Sequence, residues 1–151
     1  MNQPIVYDKA KYHLESVHEL GLPDSHASNH TAFFFSWLIK HNMLNAEFEG
    51  HGSKILEKYR ADKTSIHKVY EFFDCCLVSD MLTDEGNAFT QAYFDFEHGQ
   101  YLHDLYGRLK KDLPSEFMIE YTLENERLIH SLIDRRYQAW GSRWWEFWKR
   151  F

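Results

Sequence analysis

The run Ala32-Phe33-Phe34-Phe35-Ser36-Trp37-Leu38-Ile39 constrains the fold more than any other feature of this chain. A helix over residues 31–43 carrying it is apolar nearly all round and offers no face to water. Such a helix must be enclosed, so the pattern predicts a central helix inside a shell of others, with Asn29 as a candidate cap ahead of it.

The remaining periodicity supplies the shell. Tyr7, Ala10, Leu14 and Val17 recur at three and four residues and predict a first helix ending near Gly21-Leu22-Pro23. After Gly50-His51-Gly52 a short helix runs through Ile55, Leu56 and Tyr59. Thr64 or Ser65 then caps another, with Ile66, Val69, Tyr70, Phe73 and Leu77 on one side and Glu71 and Asp74 opposite. A helix after Thr83 turns Ala88, Phe89, Ala92, Tyr93 and Phe96 inward, with Asn87, Gln91 and Asp95 as its polar stripe. Tyr101, Leu102, Leu105, Tyr106 and Leu109 mark the next, which Leu113-Pro114-Ser115 ends. Alternating Phe117, Ile119 and Tyr121 leave a short strand open at 116–122. Leu128, Ile129, Leu132, Ile133, Tyr137 and Trp140 mark a long helix, which Gly141-Ser142 separates from an aromatic tail at 141–151. The fold class is all-α or mainly α: a single domain over residues 1–151, a bundle of about six to seven helices with room for one short strand pair.

At 151 residues, 44% of them hydrophobic, the chain has enough apolar surface to offset its conformational entropy around one core. The start Met1-Asn2-Gln3-Pro4-Ile5-Val6 lacks the basic residues and apolar run of a secretory signal, and no stretch reaches the roughly 18 apolar residues of a membrane span. The expected location is the cytoplasm. Cys75 and Cys76 are adjacent, a spacing awkward for a disulfide and wrong for zinc, and are expected to be buried thiols.

Charge is unevenly distributed. Between Val69 and Gly107 there is no lysine or arginine, while Glu71, Asp74, Asp80, Asp84, Glu85, Asp95, Glu97 and Asp104 all lie there. All 17 basic residues lie elsewhere, so the net charge of −6 comes from this middle segment. Such a field attracts cationic partners and opposes nucleic acid. Acids in a first helical turn, as Asp84 and Glu85 are after Thr83, also stabilise the helix dipole with no partner at all.

No constellation declares a catalytic chemistry. There is no strand-turn-helix elbow for a nucleophilic serine and no glycine-rich phosphate loop, so no catalytic residue, cofactor or metal site is assigned. Ten histidines raise the question of a metal. His26 and His30 are four apart with Asp24 nearby, and a metal-binding protein or enzyme centred on them is the alternative reading, although Pro23-Asp24-Ser25 looks like a turn. Glu15 and His18 match half of a di-iron pair with no second half. His13, His18 and His30 are expected at element ends or in core hydrogen bonds. The tail Arg143-Trp144-Trp145-Glu146-Phe147-Trp148-Lys149-Arg150-Phe151 admits docking on the domain, a partner-binding patch or membrane contact, the last opposed by the overall charge.

Four segments carry a resemblance. Tyr7-Asp8-Lys9-Ala10-Lys11-Tyr12-His13, His30 to Ile39, Leu82 to Phe89, and Asp134 to Trp140 together resemble a family of small bacterial proteins of uncharacterised domain type. Some members are taken to be immunity proteins of contact-dependent inhibition or related polymorphic toxin systems. The resemblance implies a cytoplasmic protein that neutralises a cognate toxin, and the acidic segment suits a basic nuclease, an RNase, whose cleft attracts phosphate. The expected contact residues are Glu71, Asp74, Asp80, Asp84, Glu85 and Asp95, with Phe72 and Phe94 as exposed aromatic anchors because both fall off the core stripes. A helical adaptor docking through the tryptophan-rich tail is a further alternative.

Overall fold

The computed structural model describes residues 3–149, with side chains as far as Gly141. Among these residues the chain forms β1 (Val6–Lys9), α1 (Leu14–Glu19), α2 (Asn29–Lys40), α3 (Ala46–His51), α4 (Ser53–Arg60), α5 (Ile66–Phe72), β2 (Cys76–Val78), α6 (Asp84–Tyr93), α7 (Tyr101–Leu109) and α8 (Leu123–Lys149). Short 3-10 turns lie at Ala10–Tyr12, Asp24–Ala27, Ser79–Met81 and Glu116–Met118. The mainly α reading holds, with eight α-helices and one two-stranded antiparallel sheet among the described residues. No helix there is long and apolar enough to cross a membrane.

The central helix is α2, where every residue from Asn29 to Ile39 is buried. Helices α5 and α8 pack against it. Aromatic rings close the remaining sides: Phe34 lies 4.7 Å from Phe94 and 5.3 Å from Tyr101, and Trp37 lies 5.3 Å from Phe89. Each such ring removed from water contributes roughly 1.5–3 kcal/mol, which explains why a helix with no polar face is stable here. A smaller core of Ala10, Val17 and Ala27 sits beside it under Leu14, Leu22 and Phe117.

Polar contacts tie α8 to this core. Trp37 Nε1 donates to Asp134 at 2.8 Å, Lys40 pairs with Glu126 at 3.2 Å, and Arg136 grips Asp104 through two hydrogen bonds of 2.9 and 2.8 Å. The Tyr121 hydroxyl lies 2.7 Å from Glu126 and 3.0 Å from Ser36 Oγ, which in turn meets His130 Nε2 at 2.8 Å.

Several expectations change. Residues 6–9 are a strand, not the start of the first helix, because β1 finds β2 and tertiary pairing overrides the weak three-four spacing of Tyr7 and Ala10. The strand pair is therefore 6–9 with 76–78, and 116–122 holds a 3-10 turn. The helix expected to reach Leu77 stops at Phe72, because Asp74 and Cys75 adopt left-handed φ values of 62° and 51° that swing the chain back into β2. Helix α3 was not foreseen. Asn45 caps it by accepting from the Phe48 amide at 3.0 Å, and Glu47 and Glu49 occupy its first turn. Asn29 is no cap: its side chain donates to the Ile119 carbonyl at 3.1 Å and meets His67 Nε2 at 2.6 Å. Ser65 and Thr83 do cap, accepting from the Lys68 and Gly86 amides. On α6, Ala88 and Ala92 face solvent while Phe89 and Tyr93 are buried. Gly141-Ser142 does not interrupt α8, which runs on to Lys149. Cys75 and Cys76 are free but only half-buried, at the mouth of a cleft.

Candidate functional site

Three side chains far apart in sequence converge where β1, the turn before α1 and the start of α2 meet. Strand alternation, shifted by an irregularity between Val6 and Asp8, turns Asp8 inward opposite Leu77, leaving it 2% exposed. His13 follows the 3-10 turn at the head of α1, and His30 stands in the first turn of α2. His13 Nε2 lies 2.7 Å from Asp8 Oδ1 and His30 Nε2 3.0 Å from Asp8 Oδ2, so each imidazole takes one oxygen of a single carboxylate. The Thr31 hydroxyl donates to Asp8 Oδ2 at 2.5 Å. Burial would raise the pKa of Asp8, but the hydrogen bonds from His13 and His30, the attraction of His30 and the Thr31 hydroxyl outweigh it and hold the carboxyl far below the usual carboxylate range.

Apolar groups frame the cluster. The two imidazoles meet edge to face at 4.6 Å, Phe117 lies 5.7 Å from His13, and Phe96 lies 5.8 Å from His30. The Tyr101 hydroxyl donates to the His30 carbonyl at 2.5 Å, anchoring the first turn of α2 from α7. The arrangement brings two imidazole nitrogens and a carboxylate together in a largely buried setting, a donor set able to hold a divalent cation or to relay a proton between histidines.

His26 takes no part. Its Nδ1 donates to the Phe117 carbonyl at 2.6 Å, and the side chains that gather around His30 are Asp8 and His13. His18 pairs with exposed Asp24 at 2.6 Å and leaves Glu15 without a role as its partner. Sequence reasoning missed Asp8 because ligand spacing was sought within one helix, whereas the structure draws on three elements. A signal was present: Asp8 and His13 stand in the first segment that carries the resemblance, and His30 heads the second.

The expected contact residues are spread over several elements. Glu71, at the end of α5, pairs with Lys68 at 3.4 Å, and Phe72 beside it is 43% exposed against His51 and Phe73. Asp74 occupies the left-handed turn, Asp80 the 3-10 turn after β2, and Asp84 and Glu85 the first turn of α6. All four are exposed, with Glu85 accepting from the Tyr137 hydroxyl. Asp95 lies beyond the other end of α6, half-exposed, accepting from the Glu97 amide at 3.0 Å and facing His98. Phe94 is fully buried against Phe34, Phe96 and Tyr101, which corrects its place as an exposed anchor: it keeps helical dihedrals, its amide bonds to the Thr90 carbonyl at 2.8 Å, and it continues the buried face of Gly86, Phe89, Thr90 and Tyr93, not the stripe drawn through Ala88 and Ala92. The cation-free run in sequence is also not a cation-free surface. Lys9 and Lys11 line the same cleft of about 530 Å³ as Glu71 and Asp74, because β1 lies alongside β2.

A family model described as a domain of unknown function (DUF7832) matches residues 6–119. The chain belongs to this family. The DUF7832 match runs from β1 to the 3-10 turn before α8, and so takes in Asp8, His13, His30 and every expected contact residue. No curated protein and no solved structure matches the chain.

Proposed function

We propose that this DUF7832 protein is an immunity protein of the cytoplasm, which binds a basic nuclease toxin, an RNase, one to one and covers its cleft without catalysing a reaction. The observation that carries the reading is the exposure of the stretch from Glu71 to Glu85. Its five acids all face solvent, and among the described residues Asp80 and Asp84 pair with no cation. Exposed Phe72 stands among them as an aromatic anchor. Carboxylates held on a turn and a helix start present fixed negative charge to a phosphate-binding cleft. Such complementarity speeds encounter and rejects wrong partners, while a buried ring slows dissociation. Phe94, being buried, drops out of the contact set, and the reading centres on Asp80, Asp84 and Glu85.

The test is co-purification of the tagged protein with the product of the adjacent upstream gene, followed by assay of that product's nuclease activity with and without the complex. Reversing Asp80, Asp84 and Glu85 to lysine is expected to slow association by about tenfold or more and to flatten its salt dependence. If the folded triple variant associates as fast as the native chain, these acids lie outside any interface. If no complex forms and the nuclease is not inhibited, the immunity reading fails as a whole.

A further inference from the structure

We propose that Asp8, His13 and His30 bind a divalent transition metal of the zinc class. The inference stands apart from toxin binding, since none of the three belongs to the exposed acidic stretch. Its first support is convergence: one donor atom from each residue lies within 4.8 Å of the other two, although the residues come from a strand, a turn and a helix. An ion about 2.0–2.2 Å from every donor needs those donors roughly 3–3.6 Å apart. The Asp8–His13 separation of 2.7 Å is shorter than that and the Asp8–His30 separation of 3.0 Å sits at its lower edge, so an ion would replace the two imidazole–carboxylate hydrogen bonds and push the rings back by a few tenths of an ångström.

Charge and surroundings add to the geometry. The Asp8 carboxylate is 2% exposed, and a bound cation would neutralise its buried negative charge. Thr31 holds the carboxylate through Oδ2, the oxygen that His30 also faces, as the outer hydrogen bonds of metal ligands do, and Phe96 and Phe117 give the histidines an apolar wall. Two imidazoles and one carboxylate suit zinc, and also ferrous, cobalt or nickel ions, better than the oxygen-seeking magnesium or calcium.

The experiment uses the full-length chain with its purification tag removed, stripped by chelator and titrated with zinc chloride by calorimetry. Cobalt(II) is added in parallel and its visible d–d bands are recorded. We expect one ion per chain, a rise in Tm on loading, and cobalt bands of a site with nitrogen ligands. His13→Gln, which alters the more exposed histidine, is expected to weaken binding by more than about 100-fold while the circular dichroism stays native. Asp8→Asn, close in shape, should do the same. The proposal is overturned if the stripped wild-type chain is folded and takes up no ion at about 100 μM metal, which would make the three side chains a hydrogen-bonded polar cluster only. It is equally overturned if binding survives intact in both folded variants, which would place the ion elsewhere, the exposed His18–Asp24 pair being the first alternative.

Discussion

Asp104 is a single side chain that serves three elements. From α7 it accepts two hydrogen bonds from Arg136 of α8 and one, at 2.7 Å, from the Tyr93 hydroxyl of α6. Burial alone would raise its pKa, but the Arg136 and Tyr93 hydrogen bonds outweigh that and hold the carboxyl below its ordinary value of 3.8. A depressed folded-state pKa stabilises the fold fully above the unfolded value, and that stability is lost as the pH falls through the folded one. Urea midpoints of the native chain are therefore expected to drop below about pH 4, and to drop less steeply in Asp104→Asn; equal slopes would show that the pair adds nothing. Gly99 shows a constraint of another kind. A Cβ there would lie 2.1 Å from the Tyr93 carbonyl oxygen, so Gly99→Ala must displace backbone and is expected to cost about 1–3 kcal/mol in chemical denaturation. Phe94, a few residues away, marks the limit of what a residue pattern can say. It keeps the helical period of Gly86, Thr90 and Tyr93, but small Ala88 and Ala92 also fit an apolar stripe, and hydrophobicity alone does not say which of the two faces is covered.

Among the elements, α2 was the most legible, because an unbroken apolar run admits few places in a fold. Phe34→Ala is expected to cost about 3–5 kcal/mol, since the fully buried ring packs against aromatic side chains from α6, α7 and the segment between them. A cost below about 1 kcal/mol would show that the site collapses freely. The strands were illegible for a plain reason: four residues of β1 and three of β2 are too few to establish a period, and the pairing joins positions some seventy residues apart. The same long-range pairing hid Asp8. A carboxylate in Tyr7-Asp8-Lys9-Ala10 looks like a surface acid until β2 decides which side of the strand is covered.

At the scale of the molecule, α8 is attached by polar contacts as much as by apolar ones, and these lie along much of its described length. The Tyr121 hydroxyl links Ser36 of α2 to Glu126 of α8, so Tyr121→Phe is expected to lower stability by about 1–2 kcal/mol by leaving a buried carboxylate one donor short. A midpoint shift matching that of an exposed control such as Tyr12→Phe would show the network to be slack. The order in which the ribosome delivers the elements gives the arrangement a kinetic side. The greasiest helix is made early, while the long helix that closes over it emerges last, more than eighty residues later. At roughly 5–20 residues per second, α2 spends on the order of ten seconds without its cover. For that interval the segment that later secures the fold is the one most exposed to aggregation and to capture by chaperones.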